Sequence, residues 1–149
     1  MNKWVFSSNT LENIRVAKER PLWGFWDREA GEKQRKNWRN FIRLYNRIKP
    51  FDTAVFQIAR TGQIHAIGII KEKFYDDQTP VWPNEGNKVL FLWKVSFSTI
   101  TFSEEPFVSN NVTIDNYIDG RRIRQLQEHE FRRVLEQLRK ILNIGMNLG

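Results

Sequence analysis

Few side chains in this sequence could perform acid–base or metal chemistry. The two histidines, His65 and His129, lie far apart, and neither has a partner at the spacing of a metal-binding motif. Asp76 and Asp77 are adjacent carboxylates that could bind a metal or exchange protons, although such a pair commonly begins a loop. The chain has no cysteine, which excludes thiol nucleophiles and thiolate zinc sites. We therefore predict a non-catalytic binding domain that needs no metal or cofactor.

Positive charge and aromatic rings are both in surplus. Lysine and arginine number 24 against 17 aspartates and glutamates, which gives a net charge of +7. Such a balance favours a polyanionic partner, either nucleic acid or an acidic membrane surface. Six tryptophans and eleven phenylalanines supply rings on which bases can stack beside phosphate contacts. The combination favours nucleic acid.

Much of the positive charge falls in residues 28–49. The basic residues of this segment are Arg28, Lys33, Arg35, Lys36, Arg39, Arg43, Arg47 and Lys49, against two glutamates. Apolar residues recur at helical spacing, so the segment predicts an amphipathic helix whose charged side either faces phosphates or is simply solvated. We interpret Arg28, Lys33, Arg35, Lys36, Arg39 and Arg43 as phosphate-binding residues.

The sequence carries no sign of a membrane or secreted protein. No apolar run approaches the length of about 18 residues that spans a bilayer. The apolar stretch near the N-terminus is too short for a signal peptide. Together with the lack of cysteine, this predicts a soluble, cytoplasmic protein with no membrane partner.

The segment order predicts an α+β fold. A strand at residues 4–6 precedes a helix that begins at Ser8 or Thr10 and ends near Glu19. Strands 53–59 and 64–71 form a hairpin, and residues 88–102 contain one long strand or two. A short strand near residues 112–114 and a helix over 127–142 complete the order. We expect a curved sheet or small barrel of about five to six strands flanked by three helices.

Residues 1–143 are predicted to form a single domain, and residues 144–149 resemble a linker towards a further domain. Trp4 and Trp93 lie on predicted strands and Trp38 on an apolar helix stripe, so we expect all three in the core. Trp23 and Trp82 fall in predicted loops, where a large ring either lines a pocket or anchors the loop.

Six motifs follow one another along the chain. They are Trp4-Val5-Phe6-Ser7-Ser8-Asn9, Leu22-Trp23-Gly24, Ala66-Ile67-Gly68-Ile69, the loop at residues 75–83, Phe91-Leu92-Trp93-Lys94-Val95 and Ile118-Asp119-Gly120-Arg121-Arg122-Ile123. In this order they resemble the EVE and YTH domains of the PUA-like superfamily. The helix at 28–49 is longer than in short EVE domains. Ile118 stands where YTH domains often carry a phosphate-binding arginine, which leaves Arg121 or Arg122 for that role.

EVE and YTH domains bind RNA or DNA, commonly around a modified base, and the resemblance implies the same here. It implies a base pocket in which Trp23 and Trp82 face one another outside the main core. A third wall would come from Phe25, Trp26 or Val89. The polar residues expected to read the base edge are Ser7, Ser8, Asn9, Asp76 and Asp77.

Alternative partners remain open at this point. Modules of this type occur at the N-terminus of McrB-type restriction proteins, ahead of a GTPase motor through which the protein could oligomerise. That resemblance favours DNA with a flipped, methylated base. The first alternative is a reader of modified RNA. A second alternative, an ASCH-type enzyme or a protein-interaction module, lacks a candidate acid–base constellation.

Overall fold

The computed structural model describes residues 1–26, 32–59, 61–107 and 123–148, without the side chains at 32–38, 84 and 141–148. Within these ranges the chain forms three α-helices, a 3-10 turn and six strands. In chain order they are β1 (Lys3–Ser8), α1 (Leu11–Glu19), β2 (Leu22–Phe25), α2 (Glu32–Arg47), β3 (Thr53–Ile58), β4 (Gln63–Tyr75), the 3-10 turn (Pro83–Glu85), β5 (Trp93–Phe102), β6 (Ile123–Gln125) and α3 (Glu128–Leu148).

The six strands form one sheet in the order β2-β5-β4-β3-β1-β6. β1 pairs in parallel with β3, and the other pairings are antiparallel. The register shifts between Phe56 and Gln57 in β3 and around Ile70 in β4. Such irregularities bend a strand and increase its twist. The sheet curls into a half-barrel, which confirms the prediction of an α+β curved sheet with three helices.

The sheet buries apolar side chains on both faces, as the alternation along β1 requires. Trp4 and Phe6 join a large aromatic cluster that includes buried residues of α1 and α2. Val5 joins a smaller cluster with Phe131 and Val134 of α3. Trp4 is fully buried, and its Nε1 donates to a carboxylate oxygen of Asp52 at 3.0 Å. The expectation that Trp4 is a core residue is therefore confirmed.

The structure differs from the sequence-based expectation in several elements. Trp23 lies on a strand and not in a loop, because β2 pairs with β5. β5 begins at Trp93 and not near residue 88, and α3 continues to Leu148 through most of the segment that resembled a linker. Trp93 is only partly buried against the aromatic cluster. The side chain of Trp38 and the expected strand near residues 112–114 lie outside the described residues. The domain boundaries remain a prediction.

None of the helices in the described part of the chain is long and apolar enough to cross a membrane.

Candidate binding cavity

A cavity of about 500 Å³ lies between the start of α1, strand β2 and the loop at residues 76–92 that joins β4 to β5. Small-molecule pockets commonly have volumes of about 300–1,000 Å³. Its aromatic lining consists of Trp23, Phe25, Trp26, Phe41, Trp82 and Phe91. Its polar lining includes Ser7, Ser8, Asn9, Thr10 and Asn13. The fold therefore brings together seven of the residues that the sequence placed in a base pocket.

Trp23 and Trp82 form a corner of this cavity. Their ring centroids are 5.0 Å apart and their planes meet at 80°, which is the edge-to-face arrangement that aromatic pairs prefer. The rings touch, so no base can enter between them. The expectation that they face one another across a base-sized gap is wrong. A flat ligand in the cavity would instead meet the corner that the two rings form.

Both tryptophans belong to the main core cluster, with exposures of 2% for Trp23 and 4% for Trp82. The expectation that neither ring is part of the core is therefore wrong as well. Trp23 stacks on Phe56 with centroids 4.9 Å apart, and its ring lies 5.9 Å from that of Phe6. The antiparallel pairing of Trp23 with Val95 fixes its backbone in the sheet. The cavity thus opens directly from the core.

The loop that carries Trp82 has little regular structure, and charged side chains hold it. Lys94 of β5 is fully buried, and its Nζ donates to Asp76 Oδ2 at 2.8 Å and to the backbone carbonyls of residues 76 and 79. Arg20, at the end of α1, donates to the carbonyls of residues 80 and 81 at 2.6 and 2.9 Å. These bonds satisfy loop carbonyls that no strand partner reaches.

The polar edge of the cavity is built around the first turn of α1. Thr10 is the N-cap, and its Oγ1 accepts a hydrogen bond from the backbone N–H of Asn13 at 3.3 Å. The side-chain amide of Asn13 donates to Ser8 Oγ at 3.0 Å. Sequence reasoning missed Asn13. The signal was its position three residues after the N-cap Thr10, which places it in the first turn of α1 beside Ser8 and Asn9.

Close approach between β2 and the loop shapes the opposite wall. A methyl group added at Gly24 would lie 2.9 Å from Phe91 Cβ and 3.0 Å from Val81 Cγ2, so only glycine lets the loop pack this tightly. Phe91 in turn contacts the ring of Trp26 edge to face, with centroids 5.3 Å apart. Trp26 is 47% exposed. It therefore stands at the mouth of the cavity, whereas Trp23 and Trp82 lie at its base.

Three residues expected in the base pocket do not line the cavity: Asp76, Asp77 and Val89. The carboxylate of Asp76 is committed to Lys94 and to the backbone N–H of Gln78, and the hydrogen bond from Lys94 lowers the pKa of Asp76 below its usual value. Asp77 is exposed and accepts from the side chain of Gln78 at 2.8 Å. Both aspartates act as loop formers, which was the alternative interpretation of the sequence.

The expected phosphate-binding residues are only partly described. Arg39 and Arg43 are exposed on α2, and Arg47 continues the same row at a spacing of four residues. Within the described residues, none of the three pairs with a carboxylate. The side chains of Lys33, Arg35 and Lys36, and the residues Arg28, Arg121 and Arg122 as a whole, lie outside the described residues.

Comparison with known structures defines the class of fold. The structure superposes on the crystal structure of the MmI1 YTH domain with a TM-score of 0.60, covering 95% of this chain and 98% of that one at 9% identity. The YTH domain of Pho92, crystallised in complex with m6A, superposes with a TM-score of 0.48 and 10% identity, covering 91% of this chain and 84% of that one. The first of these superpositions shows that the chain has the fold of a YTH domain, as the sequence motifs suggested.

Sequence comparison places the chain within a family. No protein-family model matches it. It is 57% identical over 142 residues to the uncharacterized protein MJ1369 of Methanocaldococcus jannaschii, an alignment that covers 94% of this chain and 92% of that protein. The chain belongs to the same family as MJ1369.

Proposed function

We propose that this domain is a non-catalytic nucleic-acid reader that captures one extruded, methylated base in the cavity. The observation that carries the proposal is the edge-to-face corner of Trp23 and Trp82 inside a cavity of about 500 Å³, in a YTH-type fold. A base stacked on an aromatic side chain gains about 1–3 kcal/mol. Extrusion from a stack costs a few kcal/mol, so the base edge must contribute as well.

The polar rim supplies that second contribution. Ser8 and Asn13 already share a hydrogen bond, which holds the amide of Asn13 in one orientation. A preorganised amide offers a donor and an acceptor at fixed places, as a base edge requires. A methyl group on the base adds apolar contact with the neighbouring rings. The cavity therefore suits a methylated base better than an unmodified one.

Residues outside the cavity are available to bind the neighbouring nucleotides of a polynucleotide. Trp26, half exposed at the mouth, can stack on the nucleotide next to the captured base. The row of Arg39, Arg43 and Arg47 on α2 supplies positive charge for the phosphate backbone. We propose DNA as the partner and RNA as the second candidate. Stacking and edge hydrogen bonds would serve either polynucleotide. A role in a modification-dependent restriction system, beside a motor domain, is part of the same proposal.

Competition binding tests the proposal. Single-stranded DNA and RNA of one sequence, each with and without a methylated adenine or cytosine, compete for the domain in a fluorescence anisotropy assay. We expect a preference for one methylated strand, and Trp82→Ala should weaken that binding by about 1–3 kcal/mol. The matched control is Trp93→Ala, because Trp93 packs on Tyr45 and Tyr75 and does not line the cavity. Equal losses in both variants, or no preference for any methylated strand, would contradict the proposal.

Salt dependence tests the α2 surface separately. Replacing Arg39 and Arg43 together by alanine should flatten the plot of log K against log salt by about 0.7–0.9 for each phosphate that the variant no longer neutralises. The control removes two positive charges from α3, Arg139 and Lys140, both exposed. An equal change of slope in the two double variants would mean that net charge, and not this face, determines binding.

Assays for turnover test the non-catalytic assignment. We expect the purified domain to show no nuclease or deaminase activity on either polynucleotide with or without divalent metal. Turnover that disappears in Asp76→Asn or Asp77→Asn while the variant remains folded would show instead that this carboxylate pair takes part in chemistry.

A further inference from the structure

One buried carboxylate spans the two arms of the loop that closes the cavity. Glu85 lies in the 3-10 turn and is 4% exposed. Its Oε1 accepts the backbone N–H groups of Val81 and Trp82 at 2.8 and 2.7 Å. Its Oε2 accepts those of Leu90 and Phe91 at 2.9 and 3.4 Å. One arm carries Trp82 and the other carries Phe91, and both rings line the cavity.

We propose that Glu85 is the positioning residue of the cavity, because its carboxylate joins the two loop arms and so sets the placement of Trp82 and Phe91. The expected effect on affinity rests on the proposed function, whereas the placement of the two rings does not depend on a ligand. An ionised carboxylate offers about four acceptor sites and no donor. No other side chain of this length can accept from N–H groups on both sides at once.

The consequence is a cavity that is formed before the ligand arrives. Charge-assisted hydrogen bonds are stronger than neutral ones, and Lys94 and Arg20 hold the carbonyls of the same loop. A preorganised site loses less conformational freedom on binding than a loop that must close over its ligand. Glu85 therefore acts on affinity through the rings, without any contact to the base.

The chain contains a matched control for this carboxylate. Asp52 is 2% exposed and also accepts three N–H groups, from Asn2, Lys49 and the indole of Trp4, each at 3.0 Å. It lies at the opposite end of β1 from the cavity, since Thr53 pairs with Lys3 while the cavity begins at Ser7. Glu85→Gln and Asp52→Asn each replace a carboxylate oxygen by an NH₂ group that cannot accept.

The first readout needs no ligand. Two indoles in edge-to-face contact couple electronically and give a paired band in far-ultraviolet circular dichroism. We expect Glu85→Gln to weaken this band, because Trp82 moves relative to Trp23, and we expect Asp52→Asn to leave it unchanged. Trp82→Phe, which removes the pair, supplies the reference spectrum. An unchanged band in Glu85→Gln would overturn the proposal even if the domain binds no nucleic acid.

The second readout is affinity, compared at matched loss of stability. We expect Glu85→Gln to weaken binding of the preferred methylated oligonucleotide by about tenfold, with Asp52→Asn close to wild type. The shorter side chain of Glu85→Asp keeps the charge but cannot reach both arms, so the affinity of this variant should lie between those of Glu85→Gln and Asp52→Asn. Glu85→Asp also provides the test if Glu85→Gln does not fold. Equal losses of affinity in the Glu85 and Asp52 variants would show that Glu85 contributes only to the general stability of the fold. Failure of the wild-type domain to bind any polynucleotide would instead contradict the proposed function, while the spectral test of Glu85 still stands.

Discussion

The two tryptophans of the cavity are alike in burial and unlike in how they are held. Trp23 lies on β2, paired with β5 and stacked on Phe56. Trp82 lies in an irregular loop whose backbone is bound by charged side chains, Lys94 and Glu85 among them. One wall is positioned by strand pairing and apolar packing. The other is positioned by hydrogen bonds that the loop backbone makes with charged side chains, of which Lys94 and Glu85 are buried.

The difference matters because apolar packing and an ionic network respond differently to mutation. Apolar packing tolerates small shifts but loses energy steeply when volume is removed. A buried ionic network fixes the placement of its members but is costly when one member is left unpaired. In such a cavity the wall on β2 is kept rigid by packing, whereas the wall on the loop depends on a few charged residues. Mutations on the two sides should therefore separate into stability effects and placement effects.

The largest effect on stability is expected in the cavity wall that β2 forms. Trp23→Ala should lower the free energy of unfolding by about 3–5 kcal/mol, because it removes a fully buried ring from the core. Trp82→Ala should cost less, about 2–3 kcal/mol, since a loop can relax into the space. Urea denaturation of both variants measures the two values. A greater loss for Trp82→Ala would show that the loop, and not the strand, anchors this part of the core.

The next effect is expected in the ionic network. Asp76→Asn should destabilise the fold by about 2–3 kcal/mol, since it leaves the buried ammonium of Lys94 without its counter-ion while Asp76 itself is partly exposed. The wild-type pKa of Asp76 is lowered below its usual value of 3.8 by the hydrogen bond from Lys94. The ionised carboxylate of Asp76 therefore stabilises the fold fully above the usual pKa, and this stabilisation is lost as the pH falls through the lowered pKa of Asp76. Denaturation curves between neutral and acid pH should show this loss in wild type and not in the variant.

The junction of the two walls should respond to a single methyl group. Gly24→Ala places Cβ 2.9 Å from Phe91 Cβ, so the loop must move away from β2. Overpacking of this kind costs about 1–3 kcal/mol, and the cavity should change shape at the same time. The expected signature is weaker binding than the stability loss alone explains. Gly68→Ala, which is equally crowded but distant from the cavity, is the control. If both variants bind alike, the close approach at Gly24 serves packing only.

The smallest effect is expected far from both walls and has the opposite sign. Phe51 is 72% exposed and has a φ of 73° in the turn that follows Pro50, a conformation that glycine and asparagine adopt more easily. Phe51→Asn should raise the free energy of unfolding by about 0.5–1 kcal/mol. Thermal unfolding measures the gain, and binding should not change. A loss of binding would reveal a role for this exposed ring.

Local sequence signals predicted most of the regular elements. Thr10 caps α1 as expected, because a side-chain oxygen can accept the free N–H groups of the first turn. The apolar rows of α2 and α3 and the hairpin of β3 and β4 follow from periodicity and from the Gly62 turn. Strand β2 was missed, since four residues that include a glycine carry little periodicity of their own.

The cavity was harder to predict than the elements that build it. Residues of the right chemical type, Ser8, Asn9, Trp23 and Trp82, were identified from the motifs, and all four line the same cavity. The mutual geometry of these residues was not predicted, because the angle between two rings depends on how a strand and a distant loop pack. Asp76 was assigned to the pocket from the resemblance of its loop to that of EVE and YTH domains. Its actual partner, Lys94, stands 18 positions away, a distance over which sequence patterns do not report contact.

The sequence by itself determined the α+β class, the positive charge and the set of aromatic and polar residues available for a site. These follow from composition and from the period of apolar residues, which are local properties. Tertiary structure alone decided that Trp23 and Trp82 touch edge to face, that Asn13 joins the cavity and that Glu85 bridges two loop arms. The first two facts join groups from different elements and the third joins two arms of one loop, and in each case only the packing of the folded chain sets the distances between the groups.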